Sequence, residues 1–229
     1  MLSRGKREEL INAISSYLGK IYSVYLQLDN SAVVNGKIVN LKSEQVKRIS
    51  LDNDAEFYFK FFDAIYKYRE ILKQNIAEDR LRLVNESDNA KIYIESRIKN
   101  INSIFSKIYQ YIKEKKEHGS VPIIKCLNDL FGARVEVPVL KSKELRSIVE
   151  ESSKKAGIKT IINNATKQGY YAIHLYFVKD NYSFRWEIQF WLTKDDKKNR
   201  DSHAKYKQAY TSWESIYKTK DLYEVLIND

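Results

Sequence analysis

A basic segment in the middle of the chain could bind phosphates. It contains Arg97 and Lys99, followed by Ser103 and Lys107. Strand alternation would place Arg97 and Lys99 on one face, and helical spacing places Lys107 one turn beyond Ser103. The planar fork of an arginine and the point charges of lysines suit a triphosphate. The same residues would also suit the solvated basic end of a strand, so the segment alone leaves both interpretations open.

Asp129 is a candidate ligand for a metal ion. It lies three residues before Gly132, where the absence of a side chain lets the backbone approach a ligand closely. Mg²⁺ takes oxygen ligands and is commonly shared between one or two carboxylates and substrate phosphates. An ordinary loop aspartate is the alternative interpretation.

A second carboxylate, Glu187, is followed two residues later by Gln189. In a strand these two side chains would share one face, while the apolar residues between and beside them occupy the other. An ionised acid on such a strand is costly to bury unless a metal or a cation compensates it. Glu187 could therefore complete a metal site with Asp129, or accept a proton from an attacking hydroxyl.

A glycine followed by aromatic residues offers a place for a base. In the segment Gly169-Tyr170-Tyr171-Ala172-Ile173-His174 the glycine allows a turn. The ring of Tyr170 could then stack on a purine, an interaction worth about 1–3 kcal/mol per base. Tyrosine is also favoured in strands, so Tyr170 and Tyr171 can equally be ordinary strand residues. Further along, His203 and the two lysines that follow it are possible anion ligands.

The elements that must position these residues divide the chain in two. Apolar residues at helical spacing predict one helix over residues 3–28 and another, capped by Asp54, whose buried stripe runs from Phe57 to Ile76. Asn35-Gly36 between short apolar pairs predicts a small hairpin. We therefore expect residues 1–88 to form a helical N-terminal region.

From residue 89 onward, predicted strands alternate with helices. The strands are expected at 91–99, 133–137, 159–163, 170–178 and 184–192. Helices are expected at 101–116, at 142–156 with Gly157 ending it, and in a final segment that carries Tyr206 and Trp213. This order predicts an α+β (mixed α/β) fold in which a central mixed sheet of about five strands is flanked by helices, with residues 89–229 as its unit.

Charge and composition narrow the setting. The net charge of +10 favours anionic partners such as nucleotides, nucleic acid or an acidic protein. Cys126 is the single cysteine, which suits a reducing cytosol. No stretch approaches the roughly 20 apolar residues that span a bilayer, so we expect a cytoplasmic protein that does not act in a membrane.

Taken in order, the motifs resemble the synthetase domain of the RelA/SpoT family. They are Ser-Arg-x-Lys-x-x-x-Ser-Ile-x-x-Lys, Asp-x-x-Gly-x-Arg, Gly-Tyr-x-x-x-His, Glu-Ile-Gln and His-x-x-Tyr-Lys, and they cover about residues 90–210. The resemblance implies a nucleotidyltransferase-like fold and a Mg²⁺-dependent enzyme that transfers the β,γ-pyrophosphate of ATP to a ribose 3′-hydroxyl. Such a transfer needs an aligned hydroxyl, a metal and cations rather than a covalent nucleophile.

The resemblance also implies a role for each candidate residue. ATP binding falls to Arg97, Lys99, Ser103, Lys107 and Arg134. Asp129 and Glu187 would hold Mg²⁺ and serve catalysis, Glu187 either beside the metal or by activating the hydroxyl. Acceptor binding falls to Gly169, Tyr170, His174, Gln189 and His203.

Two departures from the family pattern bear on the acceptor. Small family members use GDP or GTP to make (p)ppGpp, and a toxin subgroup modifies the 3′-terminal adenosine of tRNA. Here Tyr171-Ala172 replaces the Arg-Ser pair of the guanine-nucleotide enzymes, and no arginine soon follows Gln189. Lost cations weaken binding of a free 5′-diphosphate more than binding of a tRNA, which basic residues elsewhere can hold. We therefore expect a translation-inhibiting toxin that acts on tRNA, with (p)ppGpp synthesis as the alternative and a catalytically inactive RNA-binding relative as the third possibility.

Contacts to the body of such a tRNA are expected from basic residues outside the motifs. The candidates are Lys154, Lys155, Lys197, Lys198 and Arg200. A toxin of this kind also needs a neutralising antitoxin partner, and an acidic protein would match the basic charge.

Overall fold

The computed structural model describes residues 2–76, 92–139, 141–167, 170–197 and 199–201, with the backbone alone at Lys167 and Tyr170. The helices are α1 (Arg4–Gln27), α2 (Ala55–Asn75), α3 (Ile101–Lys113), α4 (Ile123–Cys126) and α5 (Ser142–Lys155). The strands are β1 (Val33–Val34), β2 (Lys37–Ile38), β3 (Tyr93–Ile98), β4 (Phe131–Val137), β5 (Thr160–Lys167), β6 (Tyr170–Phe177) and β7 (Trp186–Leu192). Short 3₁₀ turns occur at Val46–Arg48 and Thr193–Asp195.

The predicted mixed sheet is confirmed. Its five strands lie in the order β3-β4-β7-β6-β5, with β4 and β7 parallel and the other neighbours antiparallel. Two strands are longer than predicted: β4 begins at Phe131, opposite Ile98, and β5 continues to Lys167, opposite Tyr170. In both cases pairing with a neighbour extends the strand beyond the residues whose alternation is clear from the sequence.

The N-terminal helices follow the predicted pattern. The Asp54 carboxylate accepts a hydrogen bond from the Phe57 backbone N–H at 2.9 Å and so caps α2. The apolar stripe from Phe57 to Ile76 is buried. The predicted hairpin also forms, because Asn35 and Gly36 both adopt positive φ (52° and 70°) between β1 and β2.

Strand register separates the five-stranded sheet into two faces. The side chains of what we call the apolar face include Val135, Phe177, Trp186, Ile188 and Phe190, all buried. The side chains of what we call the polar face alternate with these; besides Trp191 they include Glu95, Arg97, Arg134, Glu136, His174, Tyr176, Glu187 and Gln189.

Helices from both halves of the chain pack on the apolar face. The ring of Tyr25 in α1 lies 5.3 Å from that of Trp186, centroid to centroid. On α5, the Ser142 carbonyl accepts a 3.4 Å hydrogen bond from the Tyr171 hydroxyl of β6. Core residues of α1 and α2 therefore join those of the sheet in one hydrophobic cluster. None of the helices in the described ranges has the length and apolar character that crossing a membrane requires.

Two of the sequence predictions fall outside the described residues. The boundary between residues 88 and 89 lies in the range 77–91, and the final helix lies beyond residue 201.

A buried chain of hydrogen bonds joins α2 to the sheet. The Trp186 indole N–H donates to the Tyr68 hydroxyl at 2.7 Å, and that hydroxyl donates to Asn30 Oδ1 at 2.8 Å.

We expect Tyr68→Phe to lower the free energy of unfolding by about 1–3 kcal/mol, because it leaves buried polar groups unpaired. Urea unfolding measures the change. Tyr66→Phe, on the same helix but 55% exposed, is the matched control and should stay within about 0.5 kcal/mol of the wild type. Equal stabilities of the two variants would contradict this role.

Candidate active site

Three charged side chains predicted to act together meet at one end of the sheet. The Lys99 ammonium lies 2.7 Å from Asp129 Oδ2, and the Lys107 ammonium lies 3.0 Å from Asp129 Oδ1. Lys107 also donates to Asn128 Oδ1 at 3.1 Å. The three charged side chains are only 12–19% exposed. We refer to Lys99, Lys107 and Asp129 as the Asp129 cluster.

Local structure explains why these residues converge. Lys99 directly follows β3, where its backbone N–H donates to the Leu130 carbonyl at 2.8 Å and its carbonyl accepts from Arg69 Nε at 3.0 Å. The Asn100 side chain then caps α3 by accepting from the Asn102 N–H at 2.8 Å. The helix thus starts at the strand end and brings Lys107, two turns on, to Asp129, two residues before β4. Arg69, buried in α2, is a support that the sequence analysis did not identify.

Charge governs protonation in the Asp129 cluster. Burial alone would raise the pKa of Asp129, but the charges of Lys107 and Lys99 outweigh it and hold the pKa well below its usual range. Burial lowers the pKa of Lys107, and the Asp129 carboxylate more than reverses this. At Lys99 burial prevails, with the charge of Lys107 acting in the same direction, and the pKa is lowered. The carboxylate is therefore ionised.

Glu187 lies in a second network, on the polar face. Its Oε1 accepts a hydrogen bond from the Tyr176 hydroxyl at 2.7 Å and lies 3.0 Å from His174 Nδ1. Its Oε2 accepts from Gln189 Nε2 at 2.6 Å. Burial would raise the pKa of Glu187, but the hydrogen bond and charge of His174 and the Tyr176 hydroxyl lower it below its usual value. Gln189 and His174, both predicted as acceptor ligands, thus contact the second carboxylate.

Tyr176 is a site residue that the sequence analysis missed. Its ring belongs to β6, and strand register places it directly opposite Glu187. The available signal was its spacing, two residues after His174, which puts both side chains on one face of the strand.

Arg97, Gly132 and Glu187 form a row across β3, β4 and β7. Arg97 is exposed on the polar face. A Cβ added at Gly132 would lie 3.8 Å from the Glu187 carbonyl oxygen, so the absent side chain leaves the surface between Arg97 and Glu187 open to a ligand. Ser103 lies half-buried on α3, one turn before Lys107.

Arg134, the remaining predicted ATP ligand, lies on the polar face one row further along β4. Its guanidinium lies 3.7 Å above the ring of Trp191 and donates to Glu95 Oε2 at 3.1 Å. Stacking and the ion pair hold the guanidinium against the sheet.

The two carboxylates suit a divalent cation. Asp129 and Glu187 are both ionised, and the charge of Asp129 acts on Glu187 by raising its pKa, so the two groups repel each other. A carboxylate has about four lone-pair sites, which leaves capacity beyond the present hydrogen bonds. Within the described ranges no group of three or more acidic, histidine or cysteine side chains could hold a metal. Substrate oxygens would have to complete the ligand set, as is usual for Mg²⁺.

The predicted tRNA contacts are divided between the two sides of the sheet. Lys154 and Lys155 are exposed at the end of α5, which packs on the apolar face and so lies behind the sheet from Glu187. Lys197 is exposed after β7. The Arg200 guanidinium binds Glu136 Oε1 at 2.8 Å, Asp196 Oδ1 at 2.7 Å and Glu95 Oε2 at 3.4 Å, so these carboxylates already occupy it.

Four predicted ligands are not described in full. Gly169, Lys198 and His203 lie outside the described residues, and Tyr170 is described in its backbone alone, as the first residue of β6.

The sequence and the structure were compared with those of known proteins. A family model for the region found in RelA / SpoT proteins matches residues 96–211. The crystal structure of small alarmone synthetase 1 from Bacillus subtilis is 17% identical in sequence; the match covers 67% of this chain and 80% of that chain, with a TM-score of 0.41. A search of curated proteins gives no match. The family match spans more than half of the 229 residues and includes every residue of the Asp129 cluster and of the network around Glu187, so the chain belongs to the RelA/SpoT family.

Proposed function

We propose that the protein is an ATP-dependent pyrophosphotransferase. The observation that carries the proposal is the pairing of the Asp129 cluster with a second ionised carboxylate, Glu187, whose charge also acts on Lys107. Membership of the RelA/SpoT family supports this chemistry.

The Asp129 cluster binds the triphosphate of ATP. Two lysines face one carboxylate, so the cluster keeps an excess of positive charge in a place where water is mostly excluded. Arg97 adds an exposed guanidinium on the polar face. Ser103, one turn before Lys107 on α3, and Arg134 on β4 are further candidate ATP ligands.

The 3′-hydroxyl oxygen of the acceptor attacks the β-phosphorus of ATP, the bond from that phosphorus to the α,β-bridging oxygen breaks, and AMP leaves. Asp129 and Glu187 would hold Mg²⁺, which neutralises charge on the phosphate oxygens. As an ionised carboxylate, Glu187 would either bind the metal beside Asp129 or accept the hydrogen bond and then the proton of the attacking hydroxyl. When it binds the metal, the proton passes to solvent water.

We further propose the 3′-terminal adenosine of tRNA as the acceptor, which would make the protein a translation-inhibiting toxin with an acidic antitoxin partner. The support comes from β7, where Phe190, Trp191 and Leu192 follow Gln189 and none of them is an arginine. The guanidinium that lies over the Trp191 ring, that of Arg134, is already paired with Glu95. The other departure carries less weight, because the Tyr171 side chain lies on the apolar face. Synthesis of (p)ppGpp from GDP or GTP is the alternative.

The first prediction for this function concerns the carboxylates. Glu187→Gln and Asp129→Asn should each reduce transfer at least about 100-fold, as loss of an electrostatic catalytic group typically does. Transfer of label from γ-³²P-ATP measures it, with thermal melting to show that each variant folds. Glu70→Gln, which removes a half-exposed carboxylate paired with Lys73, is the matched control and should retain full activity. A folded Glu187→Gln variant with wild-type turnover would refute the assignment.

The second prediction concerns ATP binding. Arg97→Ala and Lys99→Ala should raise the KM for ATP about tenfold or more, because each removes a charged donor to phosphate. Lys113→Ala, at the exposed end of α3, should leave the KM unchanged. Steady-state kinetics at saturating acceptor provide the measurement. Unchanged ATP dependence in both Arg97→Ala and Lys99→Ala would mean that the segment is only a solvated strand end.

The third prediction identifies the acceptor. With tRNA, GDP and GTP offered separately, we expect label from γ-³²P-ATP on tRNA. Periodate-oxidised tRNA is the matched control, since it has lost the terminal 3′-hydroxyl and should stay unlabelled. Label only in guanosine tetra- or pentaphosphate, with tRNA untouched, would replace the toxin by an alarmone synthetase and leave the proposed chemistry intact.

A further inference from the structure

Glu187 is held unequally at its two oxygens. Tyr176 and His174, both from β6, contact Oε1 at 2.7 and 3.0 Å. Gln189, from the same strand as Glu187, contacts Oε2 at 2.6 Å. Each carboxylate oxygen offers about two lone-pair sites. Among the described residues, therefore, Oε1 has both sites used by β6, and Oε2 has one site left.

The hydrogen bond from Tyr176 is the shorter of the two contacts at Oε1. The Tyr176 hydroxyl also lies 3.1 Å from His174 Nδ1, so the three groups close a small ring of polar contacts. A carboxylate held by donors from two strands cannot turn about its terminal torsion without breaking one of them. The ring thus fixes which oxygen contacts β6 and which contacts Gln189.

We propose that Tyr176 is a positioning residue that orients Glu187, so that Oε2 is the oxygen that accepts the reacting hydroxyl or a cation. The inference rests on the proposed function, because it assigns the orientation of a residue that acts in that reaction. Tyr176 itself does not touch the substrate. Its ring is half-buried on the polar face, and its hydroxyl is the group that matters.

Tyr176→Phe removes this hydroxyl and keeps the ring. We expect kcat to fall about 10- to 100-fold while the KM for ATP changes less than threefold, because the Asp129 cluster is untouched. Tyr171→Phe is the matched control: it removes a hydroxyl from the same strand, but one that donates to the Ser142 carbonyl behind the sheet. That variant should keep the wild-type kcat.

A double-mutant cycle separates positioning from a general structural effect. In the Glu187→Gln background, measured by single-turnover transfer with excess enzyme, adding Tyr176→Phe should change the rate less than twofold. If Tyr176 only supported the strand, the loss would be similar in both backgrounds.

These experiments distinguish failure of the positioning role of Tyr176 from failure of the proposed function. A wild-type protein that transfers pyrophosphate to none of the acceptors would overturn the function and this inference together. An active wild type with an equally active Tyr176→Phe variant, or with equal losses in both backgrounds, would overturn the positioning role alone. The positioning role is supported if Tyr176→Phe lowers kcat when Glu187 is present but not in the Glu187→Gln background.

Discussion

The alternation of side chains across a paired sheet is the constraint on which the site depends. In β7 the apolar residues Trp186 and Ile188 face the helices, which obliges Glu187 and Gln189 to face the other way. Pairing with β6 then brings Tyr176 opposite Glu187. A slip of one residue in this register would place the Glu187 carboxylate in the hydrophobic core and turn Trp186 to the polar face. The large apolar side chains on one face therefore secure the polar arrangement on the other.

The two carboxylates are kept ionised in different ways. Asp129 depends on full charges, from Lys99 and Lys107, whereas Glu187 depends on hydrogen bonds from residues of the neighbouring strand as well as its own. An anionic triphosphate can draw the lysines away from Asp129, which then has free oxygens. The hydrogen bonds to Glu187 come from β6 and β7 of one sheet, so under the proposal its orientation is set before substrate binds. The first site is suited to exchange partners and the second to stay fixed, a division that fits charge stabilisation by a preorganised site.

Much of this arrangement follows from the sequence alone, for reasons that particular residues make clear. Period-two spacing predicts that Glu187 and Gln189 share a face, and in the structure Gln189 Nε2 donates to Glu187 Oε2 at 2.6 Å. The contact between Lys107 and Asp129 does not follow from residue spacing alone. It also depends on the capping of α3 by Asn100 directly after β3, which sets where the helix starts. Tyr176 escapes prediction because tyrosine is common in strands, and only the long-range pairing of β6 with β7 reveals its partner.

The surroundings of the surface cations do not follow from the sequence, because surface position depends on packing that no local pattern encodes. Lys154 and Lys155 lie at the end of α5. The buried side of that helix packs on the apolar face of the sheet, so both lysines lie behind the sheet. Arg200 looks like a free cation in the sequence but meets Glu136 and Asp196, which lie 64 and 4 residues before it.

The central claim is that ATP binds between the Asp129 cluster and Glu187 on the polar face. A crystal structure with Mg²⁺ and α,β-methylene ATP tests it most directly, because that analogue cannot break the bond at the β-phosphorus. We predict that the triphosphate contacts Lys99 and Lys107, with the β-phosphorus facing Glu187. A triphosphate bound on the α5 side of the sheet, or bound with Asp129 still paired to both lysines and Glu187 remote from it, would contradict the account.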